Sequence, residues 1–220
     1  MISKLIVCEP VMEELAPLLP SETEKPKVLE FGLHIHPHKL HATLKEEIEQ
    51  AEKEGVDTVI LGYGMCSKGT VGLLSSSCRL VVPRVDDCIG LFLTTKSYKE
   101  QLYREAGTFF LTKGWMNTEE SLFSPNGHFS KRYDEKTRDM LIRTLLRNYT
   151  RLALIDMGSY PIDGYRSYLE EQARKYGLRY EEIPGTAVLL KKLISGRWDE
   201  DFIVVEPGQE ITFEMFFPEE

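Results

Sequence analysis

The sequence predicts an α/β protein: a Rossmann-like open, mostly parallel sheet with helices on both faces. Three observations predict it. Short apolar runs such as Leu5-Ile6-Val7, Val59-Ile60-Leu61 and Leu80-Val81-Val82 alternate with longer amphipathic stretches. Glycines stand where those stretches stop, at Gly55 and Gly177, as left-handed helix caps do. Four successive apolar runs finish at or beside a soft metal-ligand side chain, in Cys8, His34, Cys66 and Cys88. In open parallel sheets, ligands bind in the crevice beyond the carboxyl ends of the strands.

Taken in order, Ser3 to Cys8 reads as a buried strand, broken by Glu9-Pro10. Val11 to Leu19 follows as a short helix with Pro10 in its first turn. Ser21 to Pro26 is a charged loop, and Lys27 to Leu33 a second strand. From Pro37 to Glu54, Leu40, Leu44, Ile48 and Ala51 recur at helical spacing opposite a charged face. Asp57 to Gly62 and Arg79 to Pro83 are the third and fourth strands, separated by a Gly-rich turn from Gly62 to Gly72. Ile89 to Glu105 is helical in part, with Tyr98, Leu102 and Tyr103 facing inward, and Thr108 to Thr112 is a fifth strand. The stretch 114–133 has no clear period and is a candidate lid or insertion. Asp134 to Tyr149 is a helix with Leu141, Leu145 and Tyr149 on one stripe, widened by Ile142 and Leu146. Arg151 to Met157 is a strand, Asp163 to Tyr176 a helix and Leu178 to Ile183 a strand. A helix runs from Pro184-Gly185-Thr186 to about Ser195, and Phe202 to Val205 is a last strand. The alternation continues throughout, so 1–220 reads as a single α/β domain.

With 220 residues, 42% hydrophobic and 28% charged, the chain is long enough for a full core and too apolar for disorder. A net charge of -8 argues against a nucleic-acid face, which needs clustered Lys and Arg. The chain opens without a basic segment followed by a long apolar one, and no apolar run approaches the ~20 residues of a membrane span. The expectation is a cytoplasmic protein with no membrane and no nucleic-acid partner. Four cysteines in a chain this long do not make a disulfide scaffold; they read as thiols, ligands or catalytic groups.

Cys66 lies in Gly62-Tyr63-Gly64-Met65-Cys66-Ser67-Lys68-Gly69, directly after a strand. Such a turn brings free backbone N–H groups near a thiol and favours thiolate. It is either that or a tight turn around an inert cysteine. Tyr63, Gly64 and Ser67 are its candidate cofactor contacts. Cys88 lies in Pro83-Arg84-Val85-Asp86-Asp87-Cys88, where Arg84 suits an anionic group and Asp87 an acid, base or outer-sphere role. An Asp helix cap with a surface ion pair fits equally. Cys8 gains weight only if the strand ends converge, since a cysteine ending a strand is usually core. Cys78 begins its strand and should point away. His34 and His36 have strand spacing, while His34, His38 and His41 have helical spacing; His34 is favoured because it lies nearest the strand end. The dinucleotide fingerprint, the P-loop, C-x-x-C and G-x-S-x-G are all absent.

On Tyr63-Gly64-Met65-Cys66 and Pro83-Arg84-Val85-Asp86-Asp87-Cys88, supported by Cys8 and Gly114-Trp115, the chain resembles an uncharacterised bacterial and archaeal family, domain of unknown function 1638. That family's pattern looks like Tyr-Gly-x-Cys-Gly and Pro-Arg-x-His-Asp-Cys; here Ser67 replaces the Gly and Asp86 the His. The resemblance implies no reaction, only a neighbourhood of anaerobic one-carbon metabolism and corrinoid-dependent methyl transfer. The expected function is a zinc or iron enzyme acting on a small molecule, its metal held by Cys8, Cys66, Cys88 and His34. The alternatives are a metal or corrinoid carrier partnering a methyltransferase, and a thiol redox protein using Cys66 and Cys88.

Overall fold

The computed structural model describes residues 2–20, 25–119, 121–124, 127 and 131–217. The α/β class holds. A five-stranded sheet contains β1 (Ser3–Cys8), β2 (Lys27–Leu29), β3 (Thr58–Gly62), β4 (Arg79–Pro83) and β8 (Phe202–Val205). Its order is β2-β1-β3-β4-β8, parallel except for β8, which runs antiparallel to β4. The later alternation of strands and helices is carried by a second, all-parallel sheet of β5 (Thr108–Leu111), β6 (Arg151–Asp156) and β7 (Arg179–Pro184). Around the sheets stand α1 (Glu9–Leu15), α2 (Pro37–Lys53), α3 (Cys88–Arg104), α4 (Lys113–Asn117), α5 (Glu135–Leu145), α6 (Asp163–Tyr176) and α7 (Val188–Ser195).

The order 2-1-3-4 has a consequence for function. The chain leaves β1 in one direction to form β2, then returns past β1 to form β3. The connections after β1 and β3 therefore part company, and a crevice opens between their carboxyl ends. Cys8 ends β1, and Cys66 lies four residues beyond β3. Strands β1, β3 and β4 are direct neighbours, so the loops that carry Cys8, Cys66 and Cys88 emerge side by side.

Side-chain alternation along β6 joins the two sheets. Ala153 and Ile155 face the main core with Phe110, Ile183, Leu189 and Leu193. Leu152 and Leu154 face a second core with Leu111, Ile142, Leu146 and Leu169. Both faces of β6 are thus buried, as expected for a parallel strand. Among the described residues no helix is long and apolar enough to cross a membrane.

Several elements depart from the sequence pattern. β2 stops at Leu29, where its partner β1 runs out at Cys8, and Phe31–Ile35 form a 3₁₀ turn in place of further strand. The α1 helix ends at Leu15 because Pro17 cannot donate to a carbonyl one turn back; a 3₁₀ turn, Ala16–Leu18, takes over. In α3, Thr94 leaves the helical region (φ 65°) and Tyr103 is 90% exposed, so Tyr103 does not pack inward. The α5 helix packs through Ile142, with Leu146 just beyond its end, while Leu145 is exposed. Of the stretch 114–133, Met116 and Phe123 are buried in the second core, and residues 120, 125, 126 and 128–130 lie outside the described ones.

Candidate metal centre

Three ligand atoms meet beyond β3 and β4. Those of His34, Cys66 and Cys88 all lie within 4.8 Å of one another. Cys66 Sγ is 3.8 Å from Cys88 Sγ, and Cys88 Sγ is 3.6 Å from His34 Nε2. A tetrahedral ion with bonds of about 2.3 Å to sulfur and about 2.0–2.1 Å to nitrogen separates two sulfurs by roughly 3.8 Å and sulfur from nitrogen by roughly 3.6 Å. The donor set, two thiols and an imidazole, also suits zinc or iron.

The turn carrying Cys66 is held largely by backbone hydrogen bonds. Met65 N donates to Val85 O at 2.8 Å and Cys66 N to Asp86 O at 2.9 Å, so the loop after β3 is zipped onto the loop after β4. That approach explains Gly64: a Cβ there would sit 2.6 Å from Val85 O. Cys66, Ser67 and Lys68 then take φ of 47°, 56° and 70° in succession. Non-glycine residues rarely adopt this left-handed region even singly, at roughly 1–2 kcal/mol each. Gly69 N to Cys66 O and Thr70 Oγ1 to Gly64 O, both 3.0 Å, close the turn.

Cys88 is the first residue of α3. Asp87 is the helix N-cap: its Oδ1 accepts from Ile89 N at 2.9 Å, and its Oδ2 from the Tyr98 hydroxyl at 2.8 Å. The 3₁₀ turn presents His34, whose ring stacks between Phe31 (5.6 Å) and Tyr63 (5.8 Å). Cys8 stands apart from the three. Its Sγ lies 3.6 Å from Nδ1, the imidazole nitrogen that does not face Cys88. This geometry suits a partner that fixes the ring's orientation and tautomer rather than a ligand of the same ion.

Protonation follows from contact. A hydrogen bond from the Cys88 thiol does most to lower Cys66, burial opposes it, and His34 assists; the net result is about 6. Cys88 is raised, first by donating to Cys66 and then by burial. The pair thus holds one thiolate readily and a second only against repulsion. For His34, burial disfavours the imidazolium, but hydrogen bonding to Cys66 and its charge outweigh this and raise the group. Burial raises Cys8 and Asp87.

A groove of about 290 Å³ opens on the cluster from the side of the second sheet. His34, Asp87 and Cys88 line it together with Phe31, Tyr98, Phe109, Phe110, Trp115 and Tyr149. These rings come from five separate places in the chain, and only their meeting marks them. No sequence motif singled out Phe109, Phe110 or Tyr149.

The remaining candidates lie outside the three-residue cluster. Arg84 turns from the groove: its guanidinium donates to the carbonyls of Glu200 (2.9 Å), Phe202 (3.2 Å) and Met215. These bonds anchor the C-terminal segment to the loop after β4. Ser67 builds the left-handed turn. His36 and His38 are exposed on and before α2, and His41 is half-buried in it; none joins the cluster. Cys78 bonds to Val56 O at the far end of the sheet.

Fold and site together define an α/β protein with a His/Cys/Cys cluster at a topological switch point. A model for the family described as protein of unknown function (DUF1638) matches residues 28–194, and the chain belongs to that family. The match contains His34, Cys66 and Cys88, while Cys8 precedes it. No curated protein and no solved structure matches the chain.

Proposed function

We propose that this protein is a metal-dependent enzyme for a small molecule, with zinc or iron held by His34, Cys66 and Cys88. The observation that carries the reading is the agreement of the two inter-ligand distances with a tetrahedral edge, in a cluster that borders a groove. Three protein ligands leave one position for water or substrate, the pattern of catalytic rather than structural sites. Such an ion would supply Lewis acidity to whatever occupied that position. Cys8 orients His34. Asp87, at the groove wall with Tyr98, holds or moves a proton. Among the described residues the groove lining brings no Lys or Arg, so an anionic donor would meet its positive charge at the metal itself. The methyltransferase and corrinoid readings rest on resemblance alone, and a groove of about 290 Å³ is small beside a corrin ring.

The test is metal content after purification without oxygen, beside a Cys66→Ser, Cys88→Ser double variant. About one zinc or iron per chain, lost in a folded variant, supports the centre. A metal-free wild type that also takes up none when offered zinc or ferrous iron overturns it. The 3.8 Å approach of Cys66 and Cys88 favours a second reading, a reversible dithiol. Oxidation would join the two sulfurs and pass two electrons and two protons to an added disulfide. Rapid, reversible loss of two thiols in metal-free protein, with no metal uptake, would select it.

A further inference from the structure

Beside the thiols lies a side chain the metal reading does not use. Tyr63 is fully buried, and its hydroxyl has no hydrogen-bond partner among the described residues. Its ring is well used: it stacks on His34 with centroids 5.8 Å apart and planes 19° from parallel, and so helps fix the imidazole. A phenylalanine would do the same. The hydroxyl is the anomaly, because a buried donor left unpaired costs free energy that an apolar replacement avoids.

The surroundings of the hydroxyl point to its purpose. Burial and the nearby charges of Cys8, Cys88 and Cys66 all raise the phenol, so it stays protonated and able to donate. It nonetheless hydrogen-bonds none of the three sulfurs. A buried donor beside the centre that bonds to none of its protein ligands suits an acceptor brought by the centre itself.

We propose that the Tyr63 hydroxyl donates a hydrogen bond to the non-protein ligand that completes the metal's coordination, an atom with a lone pair such as a bound water, hydroxide or anionic donor. The inference rests on the metal reading and adds to it that Tyr63 selects and orients what binds there. Tyr63 is then a positioning residue for that bound ligand.

The experiment loads metal-free wild type and Tyr63→Phe with cobalt(II), whose thiolate and ligand-field bands report coordination, and titrates each with azide as the probe. Expected is cobalt affinity within about threefold between the two, and azide affinity weakened about tenfold or more in Tyr63→Phe, as for loss of a bond to a charged acceptor. The metal-free variant should also melt no lower than wild type, since it sheds an unpaired hydroxyl. A purely structural Tyr63 predicts equal azide affinity, and that result, or a wild-type cobalt protein blind to azide, overturns the proposal. Weaker cobalt binding with unchanged azide affinity assigns the bond to a thiolate and also overturns it. If wild type takes up no cobalt, the metal reading itself falls; the two failures are thus told apart.

Discussion

At the scale of single residues, the turn at Cys66 concentrates the energetic cost of the site. Three consecutive side chains stand in the left-handed region, held there by the bonds to Val85 and Asp86. Strain kept by over-determined surroundings is typical of functional turns. Ser67, at φ 56°, occupies the position where the resembling pattern has glycine, the residue that bears this conformation without penalty. Ser67→Gly should therefore stabilise the protein by about 1 kcal/mol, or about 2–4 °C in melting temperature, and leave metal content unchanged. Thermal denaturation with metal analysis checks both. A lower melting temperature would mean that the serine hydroxyl, not the backbone, is what the turn needs. The thiols themselves were legible in the sequence, because Cys66 and Cys88 each follow an apolar run and a turn. The place of Cys8 beside Nδ1 was not, because which imidazole nitrogen a sulfur meets depends on the ring orientation set by Phe31 and Tyr63.

At the scale of elements, legibility follows how local the signal is. The helix Asp163–Tyr176 appears with the bounds its stripe and Gly177 cap predict, and Gly177 has the left-handed φ of 74°. The position of His34 was missed in kind: pairing, not propensity, decided that β2 ends with its neighbour, and a 3₁₀ turn then aims the ring. The division into two sheets was equally hidden, since alternation in sequence does not say which strands pair. The second sheet has its own anchor. Arg151, at the start of β6 and fully buried, reaches Glu181 on β7 (3.1 Å), Thr108 on β5 (2.8 Å) and Gln101 at the end of α3 (3.0 Å). Glu181 gathers Arg104, Arg179 and Arg151, and these hold its carboxyl down to about 2. Its folded value lies below its unfolded one near 4.5, so its contribution is present above that pH and disappears as pH falls toward 2. Glu181→Gln should cost about 1–3 kcal/mol at pH 7 and progressively less from pH 5 down to pH 2. Urea midpoints measured across that range test it; a gap independent of pH would assign the loss to packing.

At the scale of the whole molecule, the centre depends on a strap that lies outside the family match. Past β8, Ile211 is buried and exchanges backbone bonds with the turn after Cys66: Gly72 N to Ile211 O at 2.8 Å, and Ile211 N to Leu73 O at 2.9 Å. Lys68, in the left-handed turn, lies 4.9 Å over the Phe213 ring. From the loop before Cys88, Arg84 grips the same segment through Phe202 and Met215. One C-terminal segment thus ties the two loops that carry the thiols, and a bound ion would tie both again to the His34 turn. Metal binding and folding are then linked, and the melting temperature should rise with free metal and fall on chelation; saturation at about 100 times Kd corresponds to about 2.7 kcal/mol. The same linkage separates two roles for Arg84. As an anchor, it uses a planar fork that lysine cannot reproduce. Arg84→Lys should then lose about 1–3 kcal/mol of stability and weaken zinc binding about tenfold, with no change in which ligands the groove takes. As an anion receptor, it would leave zinc affinity and melting temperature untouched and lose binding of anions alone. Zinc titration and thermal denaturation of that single variant decide between the two, and the three carbonyls around the guanidinium favour the first.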